Sequence, residues 1–117
     1  MDDEYVEAVL DVAERVPAGR ATTYGAIAEV LRDRLGRGGP RMVGQAMART
    51  GGAVPWWRVV TAAGDPPRAY RAEALARLRA EGCPLTSGGP DARVVLRRAL
   101  WWPDEDRLSG ADGADGS

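Results

Sequence analysis

Residues 22–50 read TTYGAIAEVLRDRLGRGGPRMVGQAMART, and this stretch decides the fold. Apolar side chains recur every three or four residues after the two threonines, which predicts an amphipathic helix with Thr22 or Thr23 as its N-cap. The glycine-rich segment 36–40 breaks this pattern, and Pro40 suits the first turn of a following helix. Two helices joined by a short glycine-containing turn are typical of a helix-turn-helix, in which the second helix enters a groove of DNA.

The outer face of the second of these helices is unusual. The inner face of the first helix consists of Tyr24, Ile27, Ala28, Leu31 and Leu35, and that of the second consists of Val43, Ala46, Met47 and Thr50. The residues left facing outward on the second helix are Arg41, Met42, Gly44, Gln45 and Ala48. This outward face has little bulk, which favours a close contact, either with a narrow DNA groove or with another helix of the same domain.

The rest of the chain predicts a mainly α, winged helix-turn-helix-like domain with a few short strands over residues 1–103. Further helices are expected from about Asp3 to Arg15 and from Arg71 to Glu81, the latter with Gly82 as its C-cap. Strand-like composition is found at Trp57–Thr61 and at Arg93–Leu96. Residues 104–117 are acidic and small, lack a core-forming pattern, and are expected to be a disordered tail.

Composition excludes several classes of function. The chain of 117 residues suits one small domain, and it contains one cysteine, Cys83, and no histidine. A zinc finger, a Cys–His pair and a Ser–His–Asp triad are therefore excluded, and we expect no metal, no cofactor and no catalytic residue. No segment is apolar enough to span a membrane, so we expect a monomer in the cytoplasm, associated with the nucleoid when it binds DNA.

The net charge of -1 conceals an uneven distribution of charge. Residues 1–14 and 103–117 hold eleven of the seventeen acids, whereas the segment between them carries fifteen arginines against six acids. A basic centre with acidic ends is consistent with a phosphate-binding face.

Three segments together resemble O6-alkylguanine-DNA alkyltransferases. Residues 16–28, VPAGRATTYGAIA, are similar to the family stretch V-P-x-G-x-V-x-T-Y-G-x-I-A, and residues 41–47, RMVGQAM, to its recognition helix R-x-V-G-x-A-M. Residues 54–60, VPWWRVV, resemble the active-site motif P-C-H-R-V, with Trp56 at the cysteine and Trp57 at the histidine. A tryptophan at the cysteine position is characteristic of the alkyltransferase-like proteins.

The resemblance implies roles for individual residues. Arg41 would enter the base stack in place of a flipped nucleotide, and Tyr24 would turn the adjacent backbone phosphate. The DNA-binding residues implied are Thr23, Tyr24, Arg41, Met42, Gly44, Gln45 and Ala48. The lesion pocket implied consists of Val54, Pro55, Trp56, Trp57, Arg58 and Val59, with Arg68 or Arg71 covering the base. Within this set, we expect Arg58 to hold the loop to the Glu81 region, and Thr50 stands where the family has a hinge asparagine.

A tryptophan at position 56 cannot accept an alkyl group as a thiolate does. The resemblance therefore implies a protein that binds the minor groove of double-stranded DNA, flips O6-alkylguanine into a tryptophan-lined pocket and flags it to nucleotide excision repair proteins. Two alternatives remain open at this point. One is a sequence-specific helix-turn-helix regulator, and the other is an active alkyltransferase that uses Cys83. A further possibility is that Trp56 and Trp57 are simply core aromatics.

Overall fold

The computed structural model describes residues 3–103, without the side chains of residues 50 and 51. The predicted acidic tail, residues 104–117, and the side chain at the predicted hinge, Thr50, lie outside the described residues. The helices are α1 (Asp3–Arg15), α2 (Tyr24–Leu35), α3 (Pro40–Thr50), α4 (Arg71–Ala80) and α5 (Leu96–Ala99), and the strands are β1 (Thr22–Thr23) and β2 (Val59–Val60). Three short 3-10 turns, Gly51–Ala53, Trp56–Arg58 and Arg68–Tyr70, complete the fold, and the predicted mainly α class is confirmed.

The ends of helix α2 follow from its sequence. Thr23 is its N-cap, because the Thr23 hydroxyl oxygen accepts a hydrogen bond of 2.9 Å from the backbone N–H of Ala26. The helix ends at Gly36, which has a φ of 74° in the left-handed region and donates its N–H to the Arg32 carbonyl. The turn that follows leads directly into α3 at Pro40, as the sequence predicts.

Helices α1, α2 and α3 enclose the larger of two hydrophobic clusters. Its fully buried members include Tyr5, Val9, Ile27, Leu31 and Val43. Trp101, from the end of the described chain, packs into the same cluster and is 2% exposed. Burial of an aromatic ring of this size contributes a large share of the apolar area that stabilises a small domain.

The second hydrophobic cluster lies under helix α4 and contains Val60, Leu78, Cys83 and Val94. Helix α4 ends in a Schellman motif. The N–H of Gly82 donates to the Arg79 carbonyl and the N–H of Cys83 donates to the Leu78 carbonyl, both at a distance of 3.0 Å. Gly82 has a φ of 77°, so the predicted C-cap glycine is confirmed.

The sheet is smaller than the sequence predicts. It consists of β1 and β2 in parallel, with Thr22 opposite Val59 and Thr23 opposite Val60. The strand predicted at Trp57–Thr61 is therefore wrong outside residues 59 and 60, because the residues before Val59 form a 3-10 turn.

The strand predicted at Arg93–Leu96 is also wrong. Val94 forms a single antiparallel β-bridge to Leu85, and its N–H donates a hydrogen bond of 2.9 Å to the Gly64 carbonyl. The next N–H, of Val95, donates to the carbonyl of Pro84. The pairing with residues 84–86 does not extend beyond this bridge, because the chain turns into helix α5 at Leu96.

Among residues 3–103, no helix has both the length and the apolar character that crossing a bilayer requires.

Candidate nucleic-acid interface

A cavity of about 560 Å³ lies between helix α3 and the loop that carries Trp56 and Trp57, called the tryptophan loop below. Three parts of the chain line the cavity. They are the segments around helices α2 and α3 (Tyr24, Gly44, Met47, Ala48 and Gly52), the tryptophan loop (Trp56), and the segment at the start of helix α4 (Pro67, Arg68, Ala69, Tyr70 and Glu73). This volume is within the range of pockets that enclose small organic ligands. Five residues predicted from the sequence to act on DNA or the lesion thus meet at one cavity: Tyr24, Gly44, Ala48, Trp56 and Arg68.

Trp56 forms an aromatic wall of this cavity. Its ring contacts Trp57 edge-on, with centroids 5.7 Å apart and planes at 88°, and contacts Tyr70 with centroids 5.7 Å apart at 61°. One part of Trp56 packs against the larger hydrophobic cluster, and the remainder is exposed to the cavity. The possibility that Trp56 and Trp57 are core residues is therefore wrong, since both are only half-buried.

Trp57 is held in place by polar contacts. Its indole Nε1–H donates a hydrogen bond of 3.0 Å to a carboxylate oxygen of Glu81. The guanidinium of Arg77 lies 4.5 Å from the Trp57 ring centroid and that of Arg58 lies 5.3 Å from it, both at cation–π distances. Trp57 is therefore a fixed support behind Trp56.

Arg58 and Glu81 hold the tryptophan loop to the rest of the fold. Arg58 donates from Nε and Nη2 to the Glu81 carboxylate and from Nη1 to the Val16 carbonyl at 2.8 Å. Both charged side chains are only 16% exposed. The sequence-based expectation that Arg58 binds the loop to Glu81 is confirmed.

The carboxylate of Glu81 is stabilised in its charged form. Burial by itself would raise the pKa of Glu81, but hydrogen bonds from Arg58, Trp57 and the backbone N–H of Gly19 together outweigh burial and lower the pKa below its ordinary value. Arg58 and Trp57 belong to the tryptophan loop and Gly19 to the α1–β1 connection, so one ionised side chain joins these two segments to the end of α4.

The outward face of α3 is not covered by the protein. A Cβ added to Gly44 would meet no other atom within 4 Å, and Arg41, Gln45 and Ala48 are exposed. The alternative of a helix–helix contact inside the domain is therefore wrong for this face within residues 3–103. Met42 is an exception on the same helix, since it packs partly against the larger hydrophobic cluster. A face of small residues left open in this way allows a partner to approach the helix backbone closely.

Several residues predicted for the pocket lie outside the cavity. Val54, Pro55, Trp57 and Arg58 line a second cavity of about 390 Å³ on the other side of Trp56, together with Glu14 and Arg77. Val59 is fully buried in the core and lines neither cavity, because it belongs to β2, so its assignment to the pocket wall is corrected.

Of the two arginines predicted to cover the base, the structure places only Arg68 at the cavity. Arg71 instead donates to the Asp65 carboxylate at 3.0 Å and to backbone carbonyls of Pro90, Asp91 and Ala92. These bonds commit its guanidinium to the loop before α5, so the expectation for Arg71 is corrected.

Sequence reasoning missed Tyr70, which lies opposite α3 and contacts Trp56. The signal that could have identified it is an aromatic residue directly before a helix, outside any apolar periodicity. Such a ring has no reason to enter the core, which makes a binding surface its natural place.

Cys83 is unsuited to nucleophilic chemistry. Its side chain is 6% exposed within the second hydrophobic cluster. Burial, reinforced by the nearby charge of Glu81, raises the pKa of the Cys83 thiol to about 11. Within the described part of the chain, no group of three or more histidine, cysteine, aspartate or glutamate side chains is placed to hold a metal ion.

Comparisons with known proteins agree with this geometry. Residues 4–83 match the family described as 6-O-methylguanine DNA methyltransferase, DNA binding domain. The chain is 29% identical over 105 residues to the DNA base-flipping protein of Vibrio parahaemolyticus serotype O3:K6 (strain AQ3810), a match that covers 86% of this chain and 99% of that protein.

Two crystal structures of S. pombe proteins, named Atl1 and ATL, also match. One is its complex with damaged DNA containing O6-carboxymethylguanine, with a TM-score of 0.70 at 27% identity. The other is S. pombe ATL in complex with DNA, with a TM-score of 0.69 at 30% identity. Each match covers 86% of this chain and 97% of the S. pombe chain.

Proposed function

The chain belongs to the family of 6-O-methylguanine DNA methyltransferase DNA-binding domains, and we propose that it is a non-enzymatic, alkyltransferase-like sensor of damaged DNA. The resemblance seen in three sequence segments is thus confirmed at the level of the family. Its relatives include a DNA base-flipping protein and a protein crystallised with O6-carboxymethylguanine DNA. The occupant that we propose for the cavity is accordingly an O6-alkylguanine flipped out of the duplex.

The observation that carries this proposal is the cavity between the open face of α3 and Trp56. Gly44 and Ala48 leave room for α3 to enter the minor groove, and they also line the cavity, so a base leaving the stack next to the helix would meet the cavity directly. Flipping a base costs a few kcal/mol, and stacking on an aromatic ring such as Trp56 returns roughly 1–3 kcal/mol.

We propose that the site binds the lesion without transferring its alkyl group. Transfer requires a nucleophile that attacks the alkyl carbon while the bond between that carbon and the guanine O6 breaks. The cavity offers Trp56 at the place where the family motif has a cysteine, and an indole supplies only an N–H donor. Cys83 is not among the residues that line the cavity, and its raised pKa keeps it in the thiol form.

A sensor of this kind needs a second system to remove the lesion. By the family resemblance, we propose that the bound protein flags the site to nucleotide excision repair proteins. We also propose that it acts as a cytoplasmic monomer that associates with the nucleoid on binding DNA.

The decisive experiment combines binding with mass measurement. The full chain is titrated with matched duplexes that contain guanine or O6-methylguanine at one position, and the mass of the protein is measured afterwards. We expect tighter binding to the lesion, affinity that falls with rising salt as arginines displace counterions, and an unchanged mass. A methyl group gained by Cys83 would make the protein an enzyme, and tight binding to one undamaged sequence would favour a transcriptional regulator.

The role of Arg41 can be separated from that of an ordinary surface arginine. Arg41 is exposed on α3 and forms no hydrogen bond or ion pair with residues 3–103. Arg41→Ala should lower the affinity for lesion DNA, because nothing would fill the vacated base stack. Arg32→Ala is the matched control, since Arg32 is an exposed arginine of α2 that donates to the Gly38 carbonyl. Equal losses in both variants would reduce Arg41 to a phosphate contact.

A further inference from the structure

Helix α5 presents two arginines to solvent without an acidic partner among residues 3–103. Arg97 and Arg98 are exposed, and neither guanidinium forms a hydrogen bond or an ion pair within the described part of the chain. Leu100, directly after the helix, is 37% exposed. We call these three residues the α5 patch. Because helix α5 lies beyond residues 4–83, which match the family, the family resemblance does not account for the patch.

The backbone around the α5 patch is fixed by a neighbouring segment. Leu100 forms a parallel bridge with Ala21, and the N–H of Trp101 donates a hydrogen bond of 2.7 Å to the Ala21 carbonyl. The Nε of Arg20 donates a hydrogen bond of 3.0 Å to the carbonyl of Ala99. Trp101 is buried in the larger hydrophobic cluster. The patch is therefore pre-organised, and the chain continues beside it towards residue 103.

The α5 patch lies close to the start of helix α2, where Tyr24 is expected to contact a DNA phosphate. Leu100 is paired with Ala21, and only the two residues of β1 separate Ala21 from Tyr24. Three residues of extended chain span about 10 Å, which is about the Debye length at an ionic strength of 0.1 M. A phosphate bound at Tyr24 is therefore within range of the charge that the patch carries.

The sequence places an acidic segment, residues 104–117, directly after the patch. This segment lies outside the described residues, and it contains five acids against one arginine. Three of the acids, Asp104, Glu105 and Asp106, are consecutive and begin four residues after Leu100. A ligand joined to its site by a short linker has an effective concentration in the millimolar range. The acids of this segment are therefore the anions with the highest local concentration at the patch.

We propose that the acidic segment docks on the α5 patch and weakens the binding of DNA phosphates near the start of helix α2. Its carboxylates pair with Arg97 and Arg98, and Leu108 packs against Leu100. Docking adds negative charge beside the phosphate-binding surface, which limits retention on undamaged DNA, where phosphate contacts supply nearly all of the affinity. No residue of the patch lines the lesion cavity, so the preference for a lesion is retained.

The test uses the full chain and measures dissociation constants for matched guanine and O6-methylguanine duplexes at low salt. One variant neutralises the three consecutive acids of the segment through Asp104→Asn, Glu105→Gln and Asp106→Asn. We expect it to bind both duplexes about fivefold more tightly than the wild type, because the exposed ion pairs with the patch are lost. The gain should shrink as the salt concentration rises, since salt screens these pairs.

Two further variants show whether the gain comes from docking on the α5 patch. A matched control neutralises three exposed acids of helix α1 through Glu7→Gln, Asp11→Asn and Glu14→Gln. It changes the net charge equally and should leave both affinities nearly unchanged. In a chain with Arg97→Gln and Arg98→Gln, neutralising the acidic segment should have no further effect, because substitutions of groups in contact are not additive.

The docked segment should also be detectable in the protein without DNA. The backbone amide resonances of Arg97 and Arg98 in isotope-labelled protein should shift when the acidic segment is neutralised, and they should stay in place in the α1 control. The shift should be independent of protein concentration, because the contact lies within one chain.

Several results would overturn the inference. An equal gain in the α1 control would assign the effect to net charge, and a gain that persists after Arg97→Gln and Arg98→Gln would place the segment elsewhere. A gain confined to the O6-methylguanine duplex would place it at the lesion cavity. Unchanged affinities after neutralisation, with weaker binding in the arginine variant, would assign the patch to DNA alone.

A resonance shift that depends on protein concentration would place the segment on a second copy of the chain and would also overturn the inference. The proposed function is judged separately, from the ratio of the two dissociation constants in the wild type. A wild type that binds both duplexes equally would contradict the proposed function alone, because the docking inference depends on changes in the affinities themselves.

Discussion

Two adjacent tryptophans in this chain have opposite surroundings. Trp57 donates a hydrogen bond to Glu81 and has two arginines over its ring. Trp56, one residue earlier, forms a wall of an open cavity and contacts the rings of Trp57 and Tyr70. Both rings are half-buried, so the difference lies in the partners and not in the degree of burial.

The difference indicates a division between stability and recognition. Around Trp57, hydrogen bonds and an ion pair fix the position of the loop, which pre-organises the site. Around Trp56, a planar aromatic surface faces the open cavity. A rigid second ring behind the first therefore sets the angle at which Trp56 faces the cavity.

The largest effect on this arrangement is expected from Glu81→Gln. Loss of the carboxylate leaves the positive charge of Arg58 without its negative partner, while the Arg58 side chain is only 16% exposed. We therefore expect the free energy of unfolding to fall by about 3 kcal/mol. Urea unfolding followed by circular dichroism measures this change. Asp11→Asn is the matched control, because Asp11 pairs with Arg15 at 3.7 Å with its side chain 70% exposed, and it should cost at most about 0.5 kcal/mol. Similar losses in the two variants would contradict a special role for Glu81.

The contribution of Glu81 should also depend on pH. Because folding lowers its pKa below the ordinary value of 4.5, the carboxylate stabilises the fold fully above that value, and the stabilisation is lost as the pH falls through the folded-state pKa. The difference in unfolding free energy between wild type and Glu81→Gln should therefore be constant from neutral pH to about pH 5 and shrink at lower pH. A difference that grows on acidification would have the wrong sign for this account.

A smaller effect is expected from Trp57→Phe. The substitution keeps an aromatic ring but removes the indole donor to Glu81, which should cost about 1 kcal/mol of stability. The preference for O6-methylguanine over guanine DNA should be unchanged, since Trp57 does not line the main cavity. Loss of that preference in a folded Trp57→Phe protein would assign recognition to the wrong tryptophan.

The helical part of the fold was predictable because its signals are local. The cap at Thr23, the start at Pro40 and the glycine after α4 each depend on residues within one or two turns, and all three are confirmed. The strand predicted at Arg93–Leu96 was wrong because the segment forms a single bridge, to Leu85, before helix α5 begins at Leu96. The length over which a segment pairs with its neighbour depends on the tertiary structure, and the local sequence pattern does not contain it.

The candidate site was predictable where a motif defined it and not elsewhere. The motif segments yielded Tyr24, Gly44 and Trp56, which do meet at the cavity. Arg71 was placed wrongly because its carbonyl partners lie about twenty residues away along the chain. Tyr70 was missed because a single exposed aromatic residue carries no periodic signal.

The central claim is that Trp56 is a wall of the lesion pocket, and the lesion preference of Trp56→Ala tests it most directly. The ratio of the dissociation constants for guanine and O6-methylguanine duplexes is measured for this variant and the wild type, together with thermal melting. We expect the ratio to fall by about tenfold. We also expect a cooperative transition, with a stability loss below the roughly 3–5 kcal/mol of a fully buried tryptophan. An unchanged ratio in a folded variant, or an equal loss of affinity for both duplexes, would contradict the account.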